Sequence, residues 1–269
     1  MLMTTEAPSS TPLAASMELR PLHGVEEMVA ASELLAQIWK VQNAQSPLSP
    51  ELLTAFAHAG NYVAGGFSGH ELMAVCIGFF YPPRANALHS HIAGVRPDAA
   101  GTGWGSALKY HQRDWCLERG VTRVTWTYDP LVARNAYFNI HKLGCDVEVY
   151  LPDFYGSMSD GVNYGQHSDR LMVAWRLEQS QTQRTDERQG PAVLRSVGGR
   201  PQLDLKQAAS VSRCTLEIPT DIEALRRRQP EAAIDWRLAL RRALDVLLQE
   251  GWVVVDFDRQ GHYCLARSI

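Results

Sequence analysis

One stretch restricts the fold of this 269-residue chain more than any other. Residues 87–95 (Ala-Leu-His-Ser-His-Ile-Ala-Gly-Val) are strand-like and are stopped by Pro97. Residues 102–119 carry Leu108, Trp115 and Leu117 at helical spacing and are stopped by Gly120. Between them runs Ala100-Gly101-Thr102-Gly103-Trp104-Gly105-Ser106. A strand therefore enters a glycine-rich turn that opens a helix. Glycine lets backbone N–H groups come close to an anion, and a helix N-terminus adds unpaired donors and the positive end of a dipole. The arrangement suits a pyrophosphate, although a plain turn fits the same glycines. It is not a good dinucleotide fingerprint, because the turn follows several strands rather than the first, and that speaks against a nicotinamide or flavin oxidoreductase. Nor is it a Walker A loop, because no Lys-Ser or Lys-Thr pair follows.

The rest of the chain alternates between periods of 2 and 3.6. Strands are expected at 17–22, 62–67, 72–81, 121–128, 147–151 and 171–177, with helices at 24–39, 50–59 and 135–143. Ser49-Pro50 reads as a helix start, with Ser as cap and Pro in the first turn. Residues 178–189 are almost wholly polar, and Gly198-Gly199-Arg200-Pro201 follows, so 178–203 reads as a linker or exposed loop. Beyond it come a strand at 212–218, a helix that Thr220 would cap, an apolar helical stripe at 230–249, and strands at 252–257 and 262–266. The expected organisation is a tail at 1–16, a main unit at 17–177, the linker, and a small α/β extension at 204–269 with strand-helix-hairpin order. Mixed strands and helices of this kind indicate an α/β or α+β class.

Composition narrows the partners. The formal net charge is −3 and charged residues are 20% of the chain, so no basic surface calls for nucleic acid. No apolar run reaches membrane-spanning length, and residues 1–16 lack the pattern of a signal peptide. The five cysteines are scattered, odd in number and without a CxxC, which reads as reduced thiols in a cytoplasmic protein.

The strand ending in Val95-Arg96-Pro97, the turn 100–105 and the helix after it resemble the acyl-CoA motif of the GNAT superfamily of N-acyltransferases. The resemblance extends to the order of elements from 17 to 177. It implies a central mixed β-sheet flanked by helices, with acyl-CoA as co-substrate rather than a permanently bound cofactor. It implies further that the backbone N–H groups of Gly101, Thr102, Gly103, Trp104, Gly105 and Ser106 hold the CoA pyrophosphate, and that the Val95 backbone pairs with the pantetheine arm. Gly94 is expected to let the strand bulge and free an N–H for the thioester oxygen. The segment Asn135-Ala-Tyr-Phe-Asn139-Ile-His-Lys-Leu-Gly144 resembles the superfamily's last helix. Asn135 and Asn139 would bond the pantetheine amides there, or Asn135 would merely cap the helix. Two departures stand out: Ala100 opens the turn where the family has Gln or Arg, and Ile140 stands where many members have a tyrosine that protonates the CoA thiolate. Tyr137, His141 and Tyr128 remain as candidates for that acid.

His89 and His91 are two apart on one strand and so share a face. Imidazole, with an unperturbed pKa of about 6.5, can take the proton that an attacking amine must lose. Hydrogen-bonded core histidines fit the same spacing; a metal would need a third ligand. The runs LHSHIAGVRP, YDPL and ARNAYFNIHKLG are similar to a GNAT branch that transfers succinyl groups to amino acids. That likeness implies a small amine or amino acid as acceptor and acetyl-CoA or succinyl-CoA as donor. Arg84, Arg96 and Arg134 are candidates for carboxylates, and Asp129 for the acceptor ammonium; each also reads as an ordinary surface or turn residue. Arg226, Arg227, Arg228, Arg237, Arg241 and Arg242 read as a solvated face, or as a lid or homodimer contact. A CoA-binding sensor without catalysis is the competing function, favoured by Ala100 and Ile140.

Overall fold

The computed structural model describes residues 17–40, 46–156, 167–179 and 190–267. The tail at 1–16 and the polar run 180–189 lie outside the described residues. The first half contains β1 (Met17–Pro21), α1 (Gly24–Trp39), α2 (Pro50–His58), β2 (Tyr62–Ser68), β3 (Glu71–Phe80) and β4 (Ala87–Val95). It continues through α3 (Trp104–Leu117), β5 (Arg123–Tyr128), α4 (Ala133–Ala136) and a π-helical turn (Tyr137–Lys142) to β6 (Asp146–Leu151) and β7 (Arg170–Arg176). These strands form one sheet in the order β1-β2-β3-β4-β5-β7-β6. Every neighbouring pair is antiparallel except β4 and β5, which α3 joins as a crossover. The expected mixed sheet flanked by helices is what forms.

The local signals explain most elements. Ser49 Oγ accepts from the Leu52 N–H at 3.3 Å and Pro50 opens α2, as its sequence requires. Met28, Ala31, Leu34 and Leu35 turn one stripe of α1 into the sheet, where they meet Leu22, Leu53, Val63, Val75 and Ile77. On the opposite face α3 packs Trp104 and Leu108 with Tyr62, Ala64, Ala74 and Leu88.

The second half has β8 (Ala192–Val197), β9 (Arg200–Leu203), β10 (Arg213–Glu217), α5 (Ile222–Arg228), α6 (Pro230–Gln249), β11 (Trp252–Phe257) and β12 (His262–Arg267). They make a second sheet in the order β11-β12-β10-β8-β9. The linker expected at 178–203 therefore stops short: Gly198-Gly199 is the turn of a β8–β9 hairpin, and both strands belong to the sheet. The cap of α5 is Asp221, whose Oδ1 accepts from the Ala224 N–H at 2.8 Å, rather than Thr220.

The two sheets share one core. Leu131, Ile140 and Tyr150 from the first half belong to the same buried cluster as Trp236, Leu240, Leu244 and Trp252 from the second. Polar contacts cross the same seam. Tyr128 and Tyr263 pair through their hydroxyls, and Tyr263 donates to the Pro130 carbonyl at 2.6 Å. Among the described residues no helix is long and apolar enough to cross a membrane.

Candidate functional site

β4 and β5 pair over three rungs only: Ala87–Arg123, Leu88–Val124 and His89–Thr125. Beyond His89 the strands part. Ser90 and Ile92 to Val95 keep their β3 partners but share no rung with Trp126 to Tyr128, so β4 presents a free edge along a fork. The glycine turn lies at the open end of that edge. Gly101 and Gly103 have φ of +81° and +101°, which only glycine adopts without strain. Thr102 Oγ1 ties the turn by donating to the Ala99 carbonyl at 2.6 Å. The helix bond from the Ala107 N–H to Gly103 O leaves Trp104, Gly105 and Ser106 as first-turn N–H groups without a preceding turn to bond. The Trp104 side chain is anchored over β2: a Cβ on Gly66 would lie 2.8 Å from its ring.

The β4 bulge is not at Gly94. Its register against Val75 is regular, and a Cβ there would lie 2.7 Å from Ile38 Cδ1, so Gly94 admits the end of α1. The bulge falls at His91, because Gly78 pairs with Ser90 and Ile77 with Ile92. The histidine pair survives this irregularity, with ring centroids 6.2 Å apart and both rings against Phe79. Phe79 in turn meets Phe56 of α2, which places the histidines on the α1–α2 face of the sheet. His89 Nδ1 is 3.3 Å from Thr125 Oγ1, which also bonds the Tyr81 hydroxyl at 3.0 Å. Burial, with the nearby His91 and Lys109, pushes the His89 pKa down to about 4. His91 shows an edge to solvent, while protein packed round the rest of the ring lowers its pKa by desolvation. Both rings are thus neutral at pH 7 and able to accept a proton.

The α3 face of the fork is different. Lys109 is 7% exposed, and its Nζ donates to Ser90 Oγ at 2.8 Å and Gln112 Oε1 at 3.4 Å. It also lies 3.8 Å from the centre of the Trp126 ring. The sequence offered no sign of this residue, since a lysine on an amphipathic helix reads as solvated.

Several candidates fall elsewhere. Tyr137 stacks on His141 at 4.7 Å and its hydroxyl accepts from Arg259 Nε at 2.9 Å, while His141 Nδ1 meets Asp256 at 3.1 Å. Both therefore face the second sheet. Tyr128 is buried against Tyr263, with its pKa raised by desolvation. Asp129 was expected to receive an ammonium. Instead Arg237 grips both its oxygens at 2.7 Å and Arg226 adds a further bond, holding the carboxyl well below the usual range despite burial that pushes the other way. Arg241 pairs with buried Asp169, so Arg226, Arg237 and Arg241 are seam residues, while Arg227, Arg228 and Arg242 are exposed, as a solvated face requires. Arg134 makes a bidentate pair with Glu223, and Arg96 pairs with Asp98 and Glu71. Arg84 is exposed on the 3-10 turn Pro83–Ala85 and has no ion pair among the described residues. Asn135 does not cap, since α4 begins after Val132; Asn139 is buried in the π-helical turn, and its carbonyl accepts from Cys145.

No protein-family profile and no curated protein matches the chain. Solved structures do. The ribosomal-protein-S18-alanine N-acetyltransferase of Escherichia coli is similar over 61% of this chain and 96% of its own, with TM-score 0.50 and 15% identity. A GNAT-family protein of Desulfovibrio desulfuricans covers 60% of this chain and 99% of its own, with TM-score 0.50 and 12% identity. The fold is that of the GNAT acetyltransferases. The GNAT fold thus accounts for about three-fifths of the chain, and the likeness, at such identities, extends to architecture alone.

Proposed function

We propose that the chain is a CoA-dependent N-acyltransferase that moves an acetyl or succinyl group from acyl-CoA to the amino group of a small amine or amino acid. The observation that carries this reading is the fork itself. A free β4 edge runs from a glycine turn that opens a helix to a pair of neutral histidines. Backbone donors of Gly101 and of Gly103 to Ser106 take the pyrophosphate, the Thr102 N–H being turned to the Ala99 carbonyl; the Val95 to Ser90 edge takes the pantetheine amides, and the α1–α2 face admits the acceptor. His89 and His91 remove the proton from the attacking nitrogen, directly or through water, while donor and acceptor are held together in a ternary complex. A bulge leaves its extra residue outside the ladder, so backbone near His91 supplies the donor for the thioester oxygen. Asp129 is excluded as the acceptor's partner by its two arginines. Arg84 is the remaining free candidate for a substrate carboxylate.

Release of CoA thiol from acetyl-CoA and succinyl-CoA, assayed against D- and L-amino acids and simple amines, tests the proposal. Release that requires both an acyl-CoA and an amine supports it, and the preferred pair names the substrates. CoA binding with no release for any pair would replace it by a CoA-binding sensor.

A further inference from the structure

The acid for the leaving thiolate is missing from the places where the sequence suggested it. Ile140 is fully buried, Tyr137 and His141 are committed to Arg259 and Asp256, and Tyr128 to Tyr263. A buried ammonium does stand at the fork. Ser90 and Trp126 are the first residues of β4 and β5 beyond the last shared rung, His89–Thr125, and the Lys109 ammonium touches both. It sits where the strands part, on the face opposite the histidines.

Its surroundings are unusual for a buried cation. Its contacts are the Ser90 hydroxyl, the Gln112 amide and the face of Trp126, and no carboxylate forms an ion pair with it among the described residues. Cys76 joins the same cluster through Ser90 and Gln112, with its own pKa raised by burial. Taking an ammonium out of water is costly unless a negative charge answers it, and nothing in the resting protein does. An anion that exists only during the reaction would. Val95 to Ser90 spans five residue steps, about 16 Å at the usual strand rise, the reach of an extended pantetheine arm from pyrophosphate to sulfur. A CoA seated along β4 by the reading above therefore brings its sulfur to the fork.

We propose that the Lys109 ammonium receives the leaving thiolate, stabilising the charge on the CoA sulfur and protonating it. This rests on the acyl-transfer reading. The amine nitrogen bonds to the thioester carbon; the C–S bond breaks and its electron pair goes to sulfur. One Lys109 N–H proton moves to that sulfur, and the neutral lysine regains a proton from solvent as the histidines release theirs. Burial lowers the Lys109 pKa, which makes the ammonium a readier donor.

The test is the ionisation of the thiol of bound, unacylated CoA, followed by ultraviolet thiolate absorbance in wild type, Lys109→Met and Lys109→Arg. In wild type the bound thiol should ionise at least about tenfold more readily than in Lys109→Met, with Lys109→Arg close to wild type. Lys109→Gln serves in place of a methionine variant that does not fold. In turnover, Lys109→Met should lose about 100-fold with acyl-CoA but little with an aryl thioester, whose thiolate needs no acid. Equal thiol ionisation in wild type and Lys109→Met, or equal losses with both donors, would overturn the assignment and leave Lys109 a structural residue. Absence of CoA binding by the wild type would overturn the acyl-transfer reading as well.

Discussion

Asp129 shows how much a single side chain can depend on distant sequence. Its partners Arg226 and Arg237 lie 97 and 108 residues further on, and the Asp129 side chain is 8% exposed. Asp129→Ala would strand two guanidinium groups in the seam, so urea unfolding should show a loss of about 3–5 kcal/mol. A local reading could only see an Asp-Pro turn or a free carboxylate, because charge pairing across the seam leaves no periodic trace. The histidines were legible, since alternation alone puts them on one face; the bulge at His91 was not. His89, with a folded pKa of about 4, is neutral in the native protein. Its contribution to stability is complete above the unfolded value near 6.5 and is lost as pH falls toward 4, because the unfolded chain binds the proton first. Thermal melting should therefore decline across that window, less steeply in His89→Gln. In turnover with a weakly basic amine, His89→Ala/His91→Ala together should lower kcat by about 100-fold, measured by thiol release.

At the scale of elements, the strand-turn-helix unit at 87–117 could be read from sequence because its signals are local: Pro97 as stop, and glycines where φ is positive. Gly103→Ala forces a Cβ into a φ of +101° at the start of α3. Calorimetry should show CoA affinity at least about tenfold weaker, with about 1–2 kcal/mol lost in stability. Gly94→Val tests a different constraint: its side chain would press on Ile38 and Trp39, so urea unfolding should show a loss of about 1–3 kcal/mol while the turn itself is untouched. The β8–β9 hairpin escaped the sequence reading for a physical reason. Gly198-Gly199-Arg200-Pro201 carries the composition of a loop, yet the glycines make the tight turn and Pro201 is tolerated because β9 is an edge strand.

The molecule as a whole is two sheets on one core, with the fork in the first and the second bracing the C-terminal end of β5. The shared cluster from Leu131 to Trp252, with the Asp129–Arg237 and Asp169–Arg241 pairs, docks the extension on the first unit. Arg226, Arg237 and Arg241 were misread because an arginine on a helix looks solvated until its acidic partners on other elements are known, whereas Arg227, Arg228 and Arg242 are exposed as expected. The central claim is that the β4 edge and the glycine turn form the acyl-CoA seat. Amide hydrogen exchange of the full chain with and without CoA tests it most directly. Protection should appear at residues 90–95 and 101–107 and be lost in Gly103→Ala. Protection confined to other segments, or none at saturating CoA, would contradict the account.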